Sequence, residues 1–84
     1  MIYQVVLKHS AEKELGALQA AIHERIIGRL LALEENPRPA GSKKLQGQEG
    51  YRLRVGDYRV LYTIDDKNKQ VIVLAVGHRR EVYR

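Results

Sequence analysis

Residues 51–64 read YRLRVGDYRVLYTI, and their spacing sets the architecture. In YRLRV (51–55), Tyr51, Leu53 and Val55 alternate with Arg52 and Arg54. Successive side chains of a strand point to opposite faces. The run therefore predicts a half-buried strand, apolar on one face and doubly basic on the other. Gly56-Asp57 predicts a turn, and YRVLYTI (58–64) a second strand rich in β-branched and aromatic residues. Beyond it, DDKNK (65–69) is a polar hairpin loop. QVIVLAV (70–76) is apolar after its first residue, the pattern of a buried strand.

Working back toward the N-terminus, RPAGSKKLQGQEG (38–50) reads as a loop rich in Gly, Ser and Pro, with a basic pair at Lys43 and Lys44. Before it, Ala11, Leu15, Leu18, Ile22, Ile26, Leu30 and Leu33 recur every three or four residues, which is one helical face. Gly16 and the small residues after it divide this face into two helices, about 10–18 and 20–35. Ser10 is placed to cap the first, with Glu12 and Glu14 at the positive end of its dipole. Asn36-Pro37 stops the second. IYQVVL (2–7) reads as a strand. The expected order is β-α-α-β-β-β: a small α+β fold forming a single domain over residues 1–84. In it an N-terminal strand and a helical hairpin precede a three-stranded antiparallel meander, with the helices on one face of the sheet.

Eighty-four residues make a small core, too small to enclose a large cofactor. The chain has no cysteine, which excludes disulfides and thiolate metal sites. No apolar run approaches the roughly 20 residues that span a bilayer. MIYQVVL lacks the charged start and long apolar region of a signal peptide. A cytoplasmic protein without membrane association is the expectation. The net charge is +5, and residues 1–40 contribute none of it, so all of it lies in residues 41–84. Such asymmetry points to an acidic or nucleic-acid partner facing the second half.

Arg52 and Arg54 share the open face of their strand, Arg59 begins the next, and Arg79 follows the last. In a tight meander these four converge on one basic concavity, and the planar guanidinium grips phosphate bidentately. The competing reading is ordinary surface arginines paired with Asp57, Glu49 or Glu81. The chain ends VGHRREVYR (76–84), placing His78, Arg80, Tyr83 and Arg84 near the same cluster. Flanking arginines favour the phenolate of Tyr83, and a lowered tyrosine accepts a proton from a ribose hydroxyl. The alternative is an aromatic anchor packed on the sheet. Histidine as a residue type titrates near neutrality, and His78 is read as an accessory acid or base, or a structural residue at a strand end. No metal-ligand spacing, Gly-rich phosphate loop or Ser-His-Asp arrangement occurs, and no cofactor is expected.

KKLQGQEGYRLRVGDYRVLYTID (43–65) followed by VIVLAVGHRREVYR (71–84) resembles the RelE/ParE toxin superfamily. The resemblance covers essentially the whole chain, since the strand, helical hairpin and Asn36-Pro37 fit it too. It implies the toxin of a type II toxin–antitoxin system. A RelE-like mRNA interferase is a metal-independent, ribosome-dependent endoribonuclease. It cuts mRNA in the ribosomal A site, inhibits translation, and is neutralised by a cognate RelB-like antitoxin. ParE branches instead poison DNA gyrase, and a non-catalytic nucleic-acid or partner-binding module is a third reading.

Carried onto this chain, the RelE pattern puts its catalytic set on Arg52, Arg54, Arg59, Arg79 and Tyr83. His78 and Arg80 are possible accessories, Arg80 replacing Arg79 if the register shifts by one. Lys43, Lys44 and Arg84 are the expected RNA-binding residues, and the partners implied are the antitoxin, mRNA and the ribosome with its rRNA. The implied reaction is attack of a 2′-OH on its own 3′ phosphate, leaving a 2′,3′-cyclic phosphate.

Overall fold

The computed structural model describes residues 2–78. Its elements are β1 (Gln4–Leu7), α1 (His9–Gly16), α2 (Ala20–Leu33), β2 (Ser42–Lys44), β3 (Tyr51–Val55), β4 (Tyr58–Asp65) and β5 (Gln70–His78). The strands form one sheet in the order β1-β5-β4-β3-β2. β1 runs parallel to β5, and the other neighbours are antiparallel. The α+β class and the element order expected from the sequence hold, with one strand added.

The alternation in β3 behaves as its residue types require. Leu53 and Val55 are buried in the core, whereas Arg54 is exposed. Gly56 and Asp57 close a two-residue hairpin in which Val55 faces Tyr58. Gly56 has φ +62°, and a positive φ at the first central position alone is the type II′ pattern, where glycine is favoured.

β4 and β5 contain an irregularity that the core needs. Leu61 pairs with Ala75 and Tyr62 with Val73, which leaves Leu74 as an extra residue on β5. Val71 and Val73 are fully buried, and a strict period of two would next turn Ala75 inward. The bulge turns Val76 inward instead, opposite Val60, and both are buried.

The helices cover this apolar face. Ala11 and Leu15 from α1, and Ile26, Leu30 and Leu33 from α2, join the strand residues in one core. Burial of each large aliphatic side chain contributes about 1.5–3 kcal/mol. The division near Gly16 falls as expected, though the helices end two residues earlier than the periodicity predicts. Ser10 is not the cap. Lys8 holds the N-cap position of α1 without a side-chain bond, and Ser10 lies inside the first turn. The cause is β1: Lys8 N–H still donates to Val73 O at 3.0 Å, so the chain turns into the helix directly after the strand. Past that point α1 serves the edge of β5, where Glu14 Oε1 accepts from Val76 N–H at 3.0 Å.

The second correction concerns residues 38–50, expected to be loop throughout. Residues 42–44 pair with β3, Ser42 opposite Leu53, Lys43 opposite Arg52 and Lys44 opposite Tyr51. Two lysines and a serine carry little strand propensity. The pairing is imposed from outside, by the edge of β3 and by two closures. Ser42 Oγ donates to Pro39 O at 2.8 Å, and Leu45 N–H donates to Gly50 O at 2.9 Å.

A polar and aromatic strap ties the exit of α2 to the sheet. Tyr62 O–H donates to Pro37 O at 2.8 Å, both residues being buried. Burial pushes the Tyr62 phenol above its ordinary pKa, which keeps it a neutral donor. Tyr51 stacks on Tyr62 with centroids 5.8 Å apart. Arg38 Nε donates to Tyr51 O–H at 3.1 Å, and its Nη2 pairs with Asp66 Oδ2 at 2.9 Å. Tyr3 O–H donates to the other oxygen of Asp66 at 2.5 Å. The Arg38 hydrogen bond, then that of Tyr3, hold the Asp66 carboxyl down to about 2.

Two outcomes check this strap. Tyr62→Phe strands the buried Pro37 carbonyl and is expected to cost about 1–3 kcal/mol in urea unfolding, whereas an unchanged midpoint refutes the role assigned to that bond. Asp66 has a folded pKa below its unfolded value of about 3.9, so its contribution is complete above about pH 4 and is lost as pH falls toward about 2. Thermal melts from about pH 6 to about pH 2 are expected to fall less steeply below pH ~4 in Asp66→Asn than in the wild type. Identical profiles contradict the assignment.

Candidate functional site

The face of the sheet opposite the helices is where β3 and β4 send the residues the core cannot take. Arg52 sits opposite Lys43 of β2, and Arg54 sits opposite Arg59 of β4. Directly opposed residues of an antiparallel pair hold their Cβ atoms ~5 Å apart, and like charges there are destabilising by roughly 0.2–1 kcal/mol. Two such pairs lie side by side on this face.

These four cations line one hollow of about 140 Å³ together with Gly41. Arg59 is half-buried with its Nε shielded from solvent, so its guanidinium has little freedom to swing away. Arg54 is exposed, but its Nε donates to Gly56 O at 3.0 Å, which aims the outer fork. Among the described residues no carboxylate lines the hollow. Arg38 lies outside the hollow and bonds Asp66 and Tyr51. The volume is below the roughly 300–1,000 Å³ of small-molecule pockets and equals about five waters, a size for a phosphate group and not for a whole nucleotide.

A second hollow of about 510 Å³ adjoins the first, lined by Lys43, Lys44, Leu45, Gln46, Gln48 and Arg52. Lys43 and Arg52 belong to both. Arg52, Arg54, Arg59, Lys43 and Lys44 are therefore brought together, from three strands. His78 is placed elsewhere. It faces Tyr58 across β4 and β5, and the two rings meet edge-on with centroids 5.6 Å apart. Tyr58 packs against the core, so His78 lies on the helix-bearing side of the sheet, away from the arginine hollow. Arg79, Arg80, Tyr83 and Arg84 lie outside the described residues.

Two further cations were missed because residues 1–40 carry no net charge. Arg25 and Arg29 are four apart on α2 and so share a face. The Arg29 guanidinium reaches Gly41, with Nη2 3.5 Å from where a Cβ would stand, and that of Arg25 lies 3.6 Å from the same point on Gly56. The i, i+4 spacing was the available signal. It needed the position of α2 over the β3 edge to acquire meaning.

The profile of the ParE toxin of type II toxin–antitoxin systems, parDE, matches residues 5–83. The chain belongs to the RelE/ParE toxin superfamily. Toxin RelE of Mycobacterium tuberculosis (strain ATCC 25618 / H37Rv) is 34% identical over 87 residues, spanning 98% of this chain and 87% of its own length. Toxin RelG of the same organism is 31% identical over 86 residues, spanning 100% of this chain and 99% of its own. Among solved structures, the archaeal RelE–RelB complex from Pyrococcus horikoshii OT3 superimposes with a TM-score of 0.85 at 32% identity, covering 98% of this chain and 100% of that one. This member of the superfamily is a RelE-like toxin of a type II toxin–antitoxin system. No helix among the described residues is long and apolar enough to cross a membrane.

The opposed cations of this RelE-like sheet yield a salt test. Lowering ionic strength from about 0.15 M to about 0.01 M lengthens the screening distance from ~8 Å to ~30 Å and strengthens repulsion between Arg54 and Arg59. Arg54→Ala is expected to lose less thermal stability on that change than either the wild type or Lys13→Ala, which removes one positive charge from exposed α1. Equal losses in all three would show that the pair does not repel.

Proposed function

We propose that this toxin is a ribosome-dependent endonuclease that cuts mRNA in the ribosomal A site. The observation that carries the reading is the hollow in which Arg52, Arg54, Arg59 and Lys43 converge. Its size and charge suit one phosphodiester, and RNA alone carries the neighbouring 2′-OH that such a reaction needs.

In the proposed reaction the 2′-oxygen attacks the adjacent 3′ phosphorus and the bond to the next nucleotide's 5′-oxygen breaks. The products are a 2′,3′-cyclic phosphate and a 5′-hydroxyl. Tyr83 takes the proton from the 2′-OH. Arg52, Arg54 and Arg59 face the phosphoryl oxygens, where negative charge grows in the transition state, as fixed donors that need no reorganisation. Arg79 stabilises the leaving oxygen. A guanidinium with a pKa above about 12 gives up protons poorly, so the proton on that oxygen comes from water or from the ribosome. His78, with its ring against Tyr58, has no part in this scheme. So sparse a set of acids and bases relies on the ribosome to hold the mRNA in line, and orientation supplies roughly 7–11 kcal/mol of such barriers.

The partner proposed is a RelB-like antitoxin, as in the archaeal RelE–RelB complex named above. An acidic segment that folds on binding can cover the arginines without touching the reacting atoms. The protein works in the cytoplasm on this reading, because translating ribosomes are there. The ParE profile match supports a second reading, in which the chain poisons DNA gyrase by binding.

Expression from a tightly controlled promoter, with mRNA 5′ ends mapped on translating ribosomes, separates the two. Codon-phased cuts are expected in the wild type and absent in Tyr83→Phe. Arg59→Ala is expected to slow cleavage by roughly 10²–10³-fold. Growth arrest with double-strand DNA breaks and intact mRNA overturns the nuclease reading in favour of the second.

A further inference from the structure

The larger hollow shares Lys43 and Arg52 with the phosphate grip but adds different chemistry beside it. We propose that it is a nucleobase subsite in which Gln46 and Gln48 read the base edge of a nucleotide whose phosphate lies in the arginine hollow, with adenine preferred. The inference rests on the RNA-cleaving function proposed above.

Three observations carry it. The first is size: at about 510 Å³ the hollow falls inside the usual range for small-molecule sites, unlike its neighbour of about 140 Å³. The second is connection. Lys43 and Arg52 line both hollows, so a ligand in one abuts a ligand in the other. The base and the phosphate of one nucleotide are joined through a single sugar, and adjoining hollows suit that geometry.

The third is the change in lining. The phosphate hollow presents cations, whereas the larger one adds the half-buried Leu45 and two exposed primary amides. An amide carries both a donor pair and an acceptor, the complement of a base edge, whereas a lysine or arginine fork only donates. The bidentate partner of glutamine is adenine, through its N6 amine and N7. In single-stranded RNA that edge is open, because no partner strand or deep duplex groove covers it.

The loop that carries the amides is fixed at both ends. Leu45 N–H donates to Gly50 O at 2.9 Å, closing residues 46–49 between β2 and β3. Gly50 has φ +131°, and a Cβ there would stand 3.2 Å from Tyr62 O and from Leu45 Cδ1. Only glycine lets the base of this loop seat against β4. Gln46 and Gln48 thus stand on an anchored loop, and a reading site needs that constancy.

The test uses the purified toxin and labelled single-stranded RNA dodecamers of uniform A, C or U, with affinities from fluorescence anisotropy at fixed salt. The wild type is expected to bind oligo-A roughly fivefold or more tightly than oligo-U. Gln46→Ala/Gln48→Ala is expected to compress the three affinities to within about twofold. Gln46→Glu/Gln48→Glu is expected to move the preference to oligo-C, whose N4 amine donates to a carboxylate. Lys43→Ala is expected to weaken all three oligomers alike and to reduce the slope of log K against log salt by about 0.7. The proposal is overturned if the wild type shows no preference for oligo-A, or if that preference survives in the double alanine variant. Binding is read without cleavage, so intact mRNA in cells with an oligo-A preference in vitro would fault the nuclease reading and leave the subsite standing.

Discussion

Lys43 opposite Arg52 and Arg54 opposite Arg59 are the constraint on which the rest of this molecule turns. Each opposition is unfavourable by a few tenths of a kcal/mol to about 1 kcal/mol. The same strands bury Leu53, Val55 and Val60 on their other face, and each of those contributes about 1.5–3 kcal/mol. The core outweighs the repulsion, so the fold stands with a concentrated positive field on its open side. Period-two alternation makes this possible: one strand delivers stability to one face and unfavourable charge to the other. Arg38 has a structural task instead. There an aspartate and a tyrosine engage the guanidinium, and the result is a strap joining the helical hairpin to the sheet.

The parts of the fold that announced themselves in the amino-acid order are those with strong periodicity. Tyr51, Leu53 and Val55 against Arg52 and Arg54 specified both the strand and its orientation, the three-and-four spacing from Ala11 to Leu33 specified the helical face, and Gly16 marked its division. Features imposed by neighbours were silent. Ser42–Lys44 is a strand because β3 offers an edge, not because of its residue types. Ser10 lost the cap to Lys8 because β1 pairs up to the last residue before the helix. The bulge at Leu74 is visible only as a mismatch between β4 and β5.

The candidate site divides along the same line. Convergence of Arg52, Arg54 and Arg59 followed from the alternation and a short turn, and Lys43 entered through the pairing of β2. The exclusion of His78 from the hollow could have been read from Val76 two residues before it, had Val76 been known to face inward. That was hidden, because the bulge resets the period between Val73 and Val76. Arg25 and Arg29 needed the three-dimensional position of α2. The residues that carry the proposed proton transfer and leaving-group stabilisation, Tyr83 and Arg79, rest on the motif VGHRREVY.

The proposed division of labour follows from what the sheet supplies. A sheet of this size can hold a phosphate firmly through rigid guanidinium donors, and it has little else to offer a reaction. On the proposed reading, the translating ribosome aligns the reacting atoms, and covering the cations silences the toxin. The claim beneath all of this is that Arg52, Arg54 and Arg59 act as one phosphate site. The most direct measurement is an NMR titration of the arginine side-chain Nε–Hε resonances with inorganic phosphate. The account predicts that the signals of Arg52, Arg54 and Arg59 shift together with a single dissociation constant while that of Arg38 stays still. Three unrelated constants, or a response at Arg38 equal to theirs, would contradict it.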